Sequence, residues 1–183
     1  MFQTILVAID GTRQSNRALA SAIGLARNQD ASVHILHVID EHVMDLMLDP
    51  TGVGVAVPVE GLMEGLAKSG RKIIADAERA ARKDLSDVRA EMVSSRGRTV
   101  ADVIVRYAKR VHADLIVLGT HGRRGVSRLL MGSDAEAVLR EATVPVLLVR
   151  SADIKRKSKT KAGSKAPRRK SRSEERTLAA GTV

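Results

Sequence analysis

A chain of 183 residues has the length of one domain with an appendage. Hydrophobic residues make up 44% of it, the aromatic side chains are Phe2 and Tyr107, and there is no cysteine. The core is therefore aliphatic, and disulfides, thiolate zinc sites and iron–sulfur clusters are excluded. The net charge of +10 is unevenly spread: residues 151–183 hold eleven Lys and Arg against Asp153, Glu174 and Glu175, whereas residues 1–150 hold twenty against eighteen.

The opening "MFQTILVAIDG" has an apolar stretch of about six residues with no basic lead, too short for a signal peptide. No later stretch reaches the roughly 20 apolar residues of a membrane helix. A cytoplasmic location without a membrane partner is expected. Within the opening, "TILVAI" (4–9) is β-branched and apolar throughout, as a strand covered on both faces should be. From Ser15 to Asn28, Ala18, Leu19, Ala22, Ile23 and Ala26 mark one helix face. "SVHILHVI" (32–39) is the second strand.

Residues 40–60 are longer than a normal connection and contain Pro50, Gly52, Gly54 and Pro58. Such a loop is either functional, for example a flap over a site, or mobile. Ile73, Ile74, Ala77, Ala80, Ala81 and Leu85 stripe the next helix. "VRAEMV" (88–93) alternates apolar and polar and belongs at a sheet edge. Thr99 opens a helix whose Asp102 offers a capping box, with Ala101, Ile104, Val105 and Ala108 facing inward. "DLIVLG" (114–119) is a buried strand. A helix with Ala135, Val138, Leu139 and Ala142 on its inner face leads to "VPVLLV" (144–149), where Pro145 is tolerable at a strand start.

This alternation predicts an α/β fold, a five-stranded doubly wound parallel sheet in order 3-2-1-4-5 with helices on both faces. The domain spans residues 1–150, and 151–183 form a disordered Lys/Arg-rich tail. In such sheets a ligand binds beyond the carboxyl ends of the strands where the winding reverses, here between strands 1 and 4. Asp10-Gly11 and the chain from Gly119 onward lie at that switch.

The segment after strand 4 carries Gly119, Gly122, Gly125 and Gly132. It matches neither the P-loop nor the dinucleotide fingerprint. A helix starting at Gly132 nevertheless presents unpaired amides and a positive dipole end to an anion, and Ser133 adds a hydroxyl. Arg123, Arg124 and Arg128 add charge. Each feature also has a plainer reading. Ser133 and Glu136 spell a capping box that serves only its own helix. Gly122 and Gly125 suit empty turns, and the arginines suit a solvated loop face.

Gly119-Thr120-His121-Gly122, nine residues and then Gly132-Ser133 resemble the G-x2-G-x9-G-[S/T] signature of the universal stress protein family. "ILVAIDGT", "HILHVID", "ADLIVLGTHG" and "VPVLLV" resemble that family's first, second, fourth and fifth strands. The resemblance implies binding of ATP. Carried over by position, it places Ala8, Ile9 and Asp10 on the adenine and ribose side and Val38 against the base. Leu118, Gly119 and Gly122 would meet ribose and phosphates, and Gly132, Ser133 and Asp134 the phosphate end. Asp134 would contribute its amide, since a carboxylate repels phosphate unless a metal intervenes. The resemblance also implies a homodimer through Val144–Val149.

Catalytic candidates are few. His121 suits ordering of the turn better than proton transfer. His34 and His37 face opposite sides of a strand and cannot share a metal. Asp10 and Asp40 end neighbouring strands and offer oxygens to a Mg²⁺ brought by ATP. Slow hydrolysis at most is expected, and a sensor whose state follows nucleotide occupancy fits better than an enzyme. The stretch "KRKSKTKAGSKAPRRKSR" suggests a second partner, nucleic acid held by charge alone or an acidic protein, the plainer reading being a solubilising tail.

Overall fold

Each of the five apolar runs read as strands contains one. The computed structural model describes residues 1–41, 59–120 and 131–150, the side chains of residues 59 and 60 excepted. It contains β1 (Thr4–Ala8), β2 (Ser32–Ile39), β3 (Val88–Ser94), β4 (Leu115–Gly119) and β5 (Val146–Val149). Among the described residues four helices separate them: α1 (Arg13–Gln29), α2 (Val59–Ala81), α3 (Val100–Arg110) and α4 (Ser133–Glu141). All four strand pairings are parallel and the order is β3-β2-β1-β4-β5. The expected fold is thus observed, with β3 and β5 at the two edges. The described residues fall within one unit, Met1–Ala152. The basic stretch 151–183 and most of the 40–60 connection lie outside them.

Alternation along the strands builds two cores. Ile5, Val7 and Ile9 join Val33, Ile35, Leu115 and Val117 under α1 and α2. Leu6, Leu36, Ile116 and Leu118 pack against α3 and α4 on the other face. A strand buried on both sides needs no polar position, which is why these runs are continuously apolar.

Two inward assignments are corrected. Ala80 is exposed, because Ala77 and Ala81 already turn the α2 stripe toward the sheet. Leu139 is 48% exposed, because this short edge helix buries only a narrow stripe through Ala135 and Val138. Helix starts are set by side chains elsewhere. Thr12 Oγ1 accepts the Ser15 amide at 3.2 Å and Thr99 Oγ1 the Asp102 amide at 3.1 Å. The Asp102 carboxylate takes Arg106 as its partner at 2.8 Å, so the box at α3 is used through its threonine.

His34 lies on the α3 face of β2, 7% exposed, edge-on to the Tyr107 ring with centroids 6.4 Å apart. Its Nδ1 is the one buried side-chain polar atom without a partner among the described residues. Burial first, and then the Arg89 guanidinium, push its pKa below 6.5, with Arg110 acting in the same direction and Asp87 and Glu91 opposing. The unfolded chain therefore binds a proton before the folded one does. The stability carried by neutral His34 is full above about pH 6.5 and is lost as pH falls through that value toward the folded pKa. Urea midpoints are expected to drop as pH falls below about 6.5, and His34→Leu to flatten that drop. An unchanged slope in the variant would assign it to other groups.

Candidate functional site

The carboxyl ends of β1 and β4 meet at the switch point, since Val7 pairs with Val117 while α1 and α4 leave toward opposite faces of the sheet. Beyond β1 the chain is held tightly. The Ile9 amide donates to the Leu36 carbonyl at 2.8 Å, and the Ile9 carbonyl lies 2.8 Å from His37 Nδ1. A neighbouring carbonyl fixes the tautomer: Nδ1 carries the proton. Asp10 Oδ1 accepts from the Thr12 amide at 3.0 Å and the Thr12 hydroxyl at 2.7 Å. Asp10 therefore orders the turn into α1 as well as lying at the site. Gly11 makes that turn at φ +83°, a conformation that costs glycine least.

Beyond β4 two helix starts converge. A Cβ on Gly119 would fall 3.0 Å from the Gln14 carbonyl carbon and 3.2 Å from the Ser15 amide nitrogen, so the first turn of α1 rests on this backbone. Thr120 is buried. Its amide donates to the Val149 carbonyl at 3.1 Å, and its carbonyl accepts from the Gly132 amide at 2.9 Å. That bond closes the base of the glycine-rich segment and puts the start of α4 beside the end of β4.

The start of α4 differs from those of α1 and α3. Gly132 is the cap, at φ −65° and ψ 144°, and no side-chain hydrogen bond caps the helix. Ser133 is the first helical residue and is exposed, so the capping box spelled by Ser133 and Glu136 is not formed: the helix begins one residue too early for it. Dihedrals in the β region suit any L-residue, and Ser or Asp would cap better. The backbone conformation at Gly132 therefore does not require a glycine.

Of the expected site residues, Ala8, Val38 and Leu118 share the α3/α4 face of the sheet. Ile9 does not join them: consecutive strand residues face opposite ways, and its side chain is buried in the α1/α2 core. With its amide and carbonyl both bonded, it acts as a fixed support. Gly119, Gly132, Ser133 and Asp134 gather at the start of α4, while Gly122, His121, Arg123, Arg124 and Arg128 lie outside the described residues. Asp134 and Glu136 occupy the first turn of α4, where acidic side chains suit the dipole. Thr12, Ser15, Thr120 and His37 were missed by reading the sequence; only Thr12, two residues after an Asp and three before a Ser, left a local signal. No group of three or more His, Asp or Glu side chains gathers among the described residues to hold a metal ion.

The Usp model, described as the universal stress protein family, matches residues 1–150. The chain belongs to the universal stress protein family. Universal stress protein YxiE of Bacillus subtilis is 38% identical over 154 residues, covering 82% of this chain and 100% of the relative. A crystal structure of a family protein from Burkholderia pseudomallei superposes with TM-score 0.64 at 29% identity, over 81% of this chain and 96% of that one. A universal stress protein crystallised in complex with cAMP has TM-score 0.59 at 25% identity, covering 81% and 97%. No helix among the described residues is long and apolar enough to cross a membrane.

Proposed function

We propose that this family member binds an adenine nucleotide, ATP foremost, and acts as a sensor or regulator in stress response whose state follows nucleotide occupancy. The observation that carries the reading is the start of α4, where the cap position is held by a glycine that its dihedrals do not require and that has no side chain to bond the first-turn amides. Phosphate is the ligand such a helix start suits. Ala8, Val38 and Leu118 offer an apolar wall for the base, and Asp10 lies beside it for the ribose. Gly119, Gly122, Gly132, Ser133 and Asp134 form the phosphate end, Asp134 through its amide. The relative with bound cAMP supports the choice of an adenine ring. A Mg²⁺ arriving with ATP would rely on phosphate and water oxygens with Asp10 or Asp40 at its margin, since Mg²⁺ keeps several waters.

Turnover is expected to be slow at most. Equilibrium titration of the full chain with ATP, ADP, AMP and cAMP tests the reading; absence of binding to all four rejects it. Pairing of two copies along edge strand β5, where Leu147 is exposed, belongs to the same proposal.

The eleven basic residues of 151–183 against three acidic ones favour a second reading, nucleic acid held by charge. Deleting 151–183 is expected to leave ATP affinity unchanged and to abolish salt-sensitive retention on DNA. Retention that survives the deletion would place the nucleic-acid contact in the folded domain.

A further inference from the structure

We propose that Met92 is a reversible oxidation site, its thioether serving as a latch that holds α2 and, through α2, the turn carrying Asp10. Met92 is half-buried on edge strand β3 and pairs in register with His37. Across from both stands Gly70, in the middle of α2. A Cβ at Gly70 would fall 2.6 Å from Met92 Sδ, 3.0 Å from His37 Cδ2 and 3.2 Å from His37 Nε2. Thioether, imidazole and helix backbone are thus packed together at a position where the helix has no side chain. A glycine inside a helix is less favourable than alanine, and here it lets α2 approach the two strands closely.

The same turn of α2 bears on both neighbours of Asp10. His37, pressed by Gly70, holds the Ile9 carbonyl at 2.8 Å. Ile73, one turn along, meets Gly11, where a Cβ would fall 2.9 Å from Ile73 Cδ1. Moving α2 away from Met92 therefore loosens the residue before Asp10 and the residue after it.

Hydrogen peroxide is the co-reactant. A sulfur lone pair of Met92 attacks one peroxide oxygen, the O–O bond breaks, and the second oxygen leaves as water after taking the proton of the first. Sulfur is oxidised by two electrons to the sulfoxide and the peroxide is reduced by two. The product adds an oxygen and a strong dipole where a thioether fitted against carbon, and methionine sulfoxide reductase reverses it. Met1, 94% exposed at the chain start, provides an internal control for oxidant exposure.

The consequence for nucleotide binding rests on the proposed function; the oxidation and its effect on packing do not. The test treats the full chain with hydrogen peroxide, maps oxidised methionines by peptide mass spectrometry, and measures Tm and ATP affinity before and after. Met92 is expected to gain one oxygen, with Tm falling by about 5 °C and ATP affinity by at least about fivefold, both restored by the reductase. Met92→Leu is expected to keep both values through the same treatment. Met92→Gln is expected to show the loss without oxidant.

Three results would overturn the proposal: Met92 remaining a thioether when Met1 is fully converted, Met92 sulfoxide with unchanged Tm, or Met92→Leu losing as much as the wild type. Should the untreated protein bind no nucleotide, the proposed function fails, and the mass and Tm readings still decide the fate of Met92.

Discussion

Gly132→Asp is expected to weaken ATP binding by about 100-fold or more while leaving the unliganded protein as stable as before, or slightly more so. The cap residue sits at φ −65° and ψ 144°, which aspartate adopts without strain, and aspartate ranks above glycine as a cap by a few tenths of a kcal/mol. Its carboxylate would take the first-turn amides of α4 and place a negative charge where a phosphate is proposed to sit. Stability and affinity would then move in opposite directions, which general damage does not produce. Paired urea denaturation and ATP titration check this. Unchanged affinity would remove the start of α4 from the site.

Gly119→Val is expected to do the reverse, costing about 2–3 kcal/mol of stability and losing nucleotide affinity as a consequence. The added Cβ would meet the Gln14 backbone at 3.0 Å and the Ser15 amide nitrogen at 3.2 Å. Those atoms belong to the first turn of α1, which Thr12 caps and Asp10 steadies. The first turn of α1 must move for a valine to fit, and the anchored turn after β1 must move with it. Urea unfolding of the unliganded protein measures the loss. A variant with wild-type stability would show that the close approach of α1 to β4 is easily relieved.

The two glycines mark the division between what the sequence showed and what it withheld. The strands were legible because continuous apolar runs of this length require burial on both faces, and their alternation with helical stripes left few ways to wind the sheet. The opposite faces of His34 and His37 followed from strand periodicity, and the structure places them on opposite cores. That periodicity also separates Ala8 from Ile9, although the family resemblance carried both into one site. The start of α4 was only half legible, since Ser133 and Glu136 have capping-box spacing beside the reading of a helix starting at Gly132, and the backbone decides for the second. The roles of Gly70, His37 and Met92 depend on contacts between residues more than twenty apart, which no local pattern records. Thr12 was missed because its strongest partner, Asp10, was read as a ligand contact rather than as a turn residue.

The nucleotide content of the freshly purified protein tests the central claim most directly. The protein is denatured by heat and the supernatant chromatographed, beside Gly132→Asp treated identically. The account predicts adenine nucleotide released by the wild type and none by a folded Gly132→Asp variant. A wild type that releases none and takes up no added ATP would contradict it.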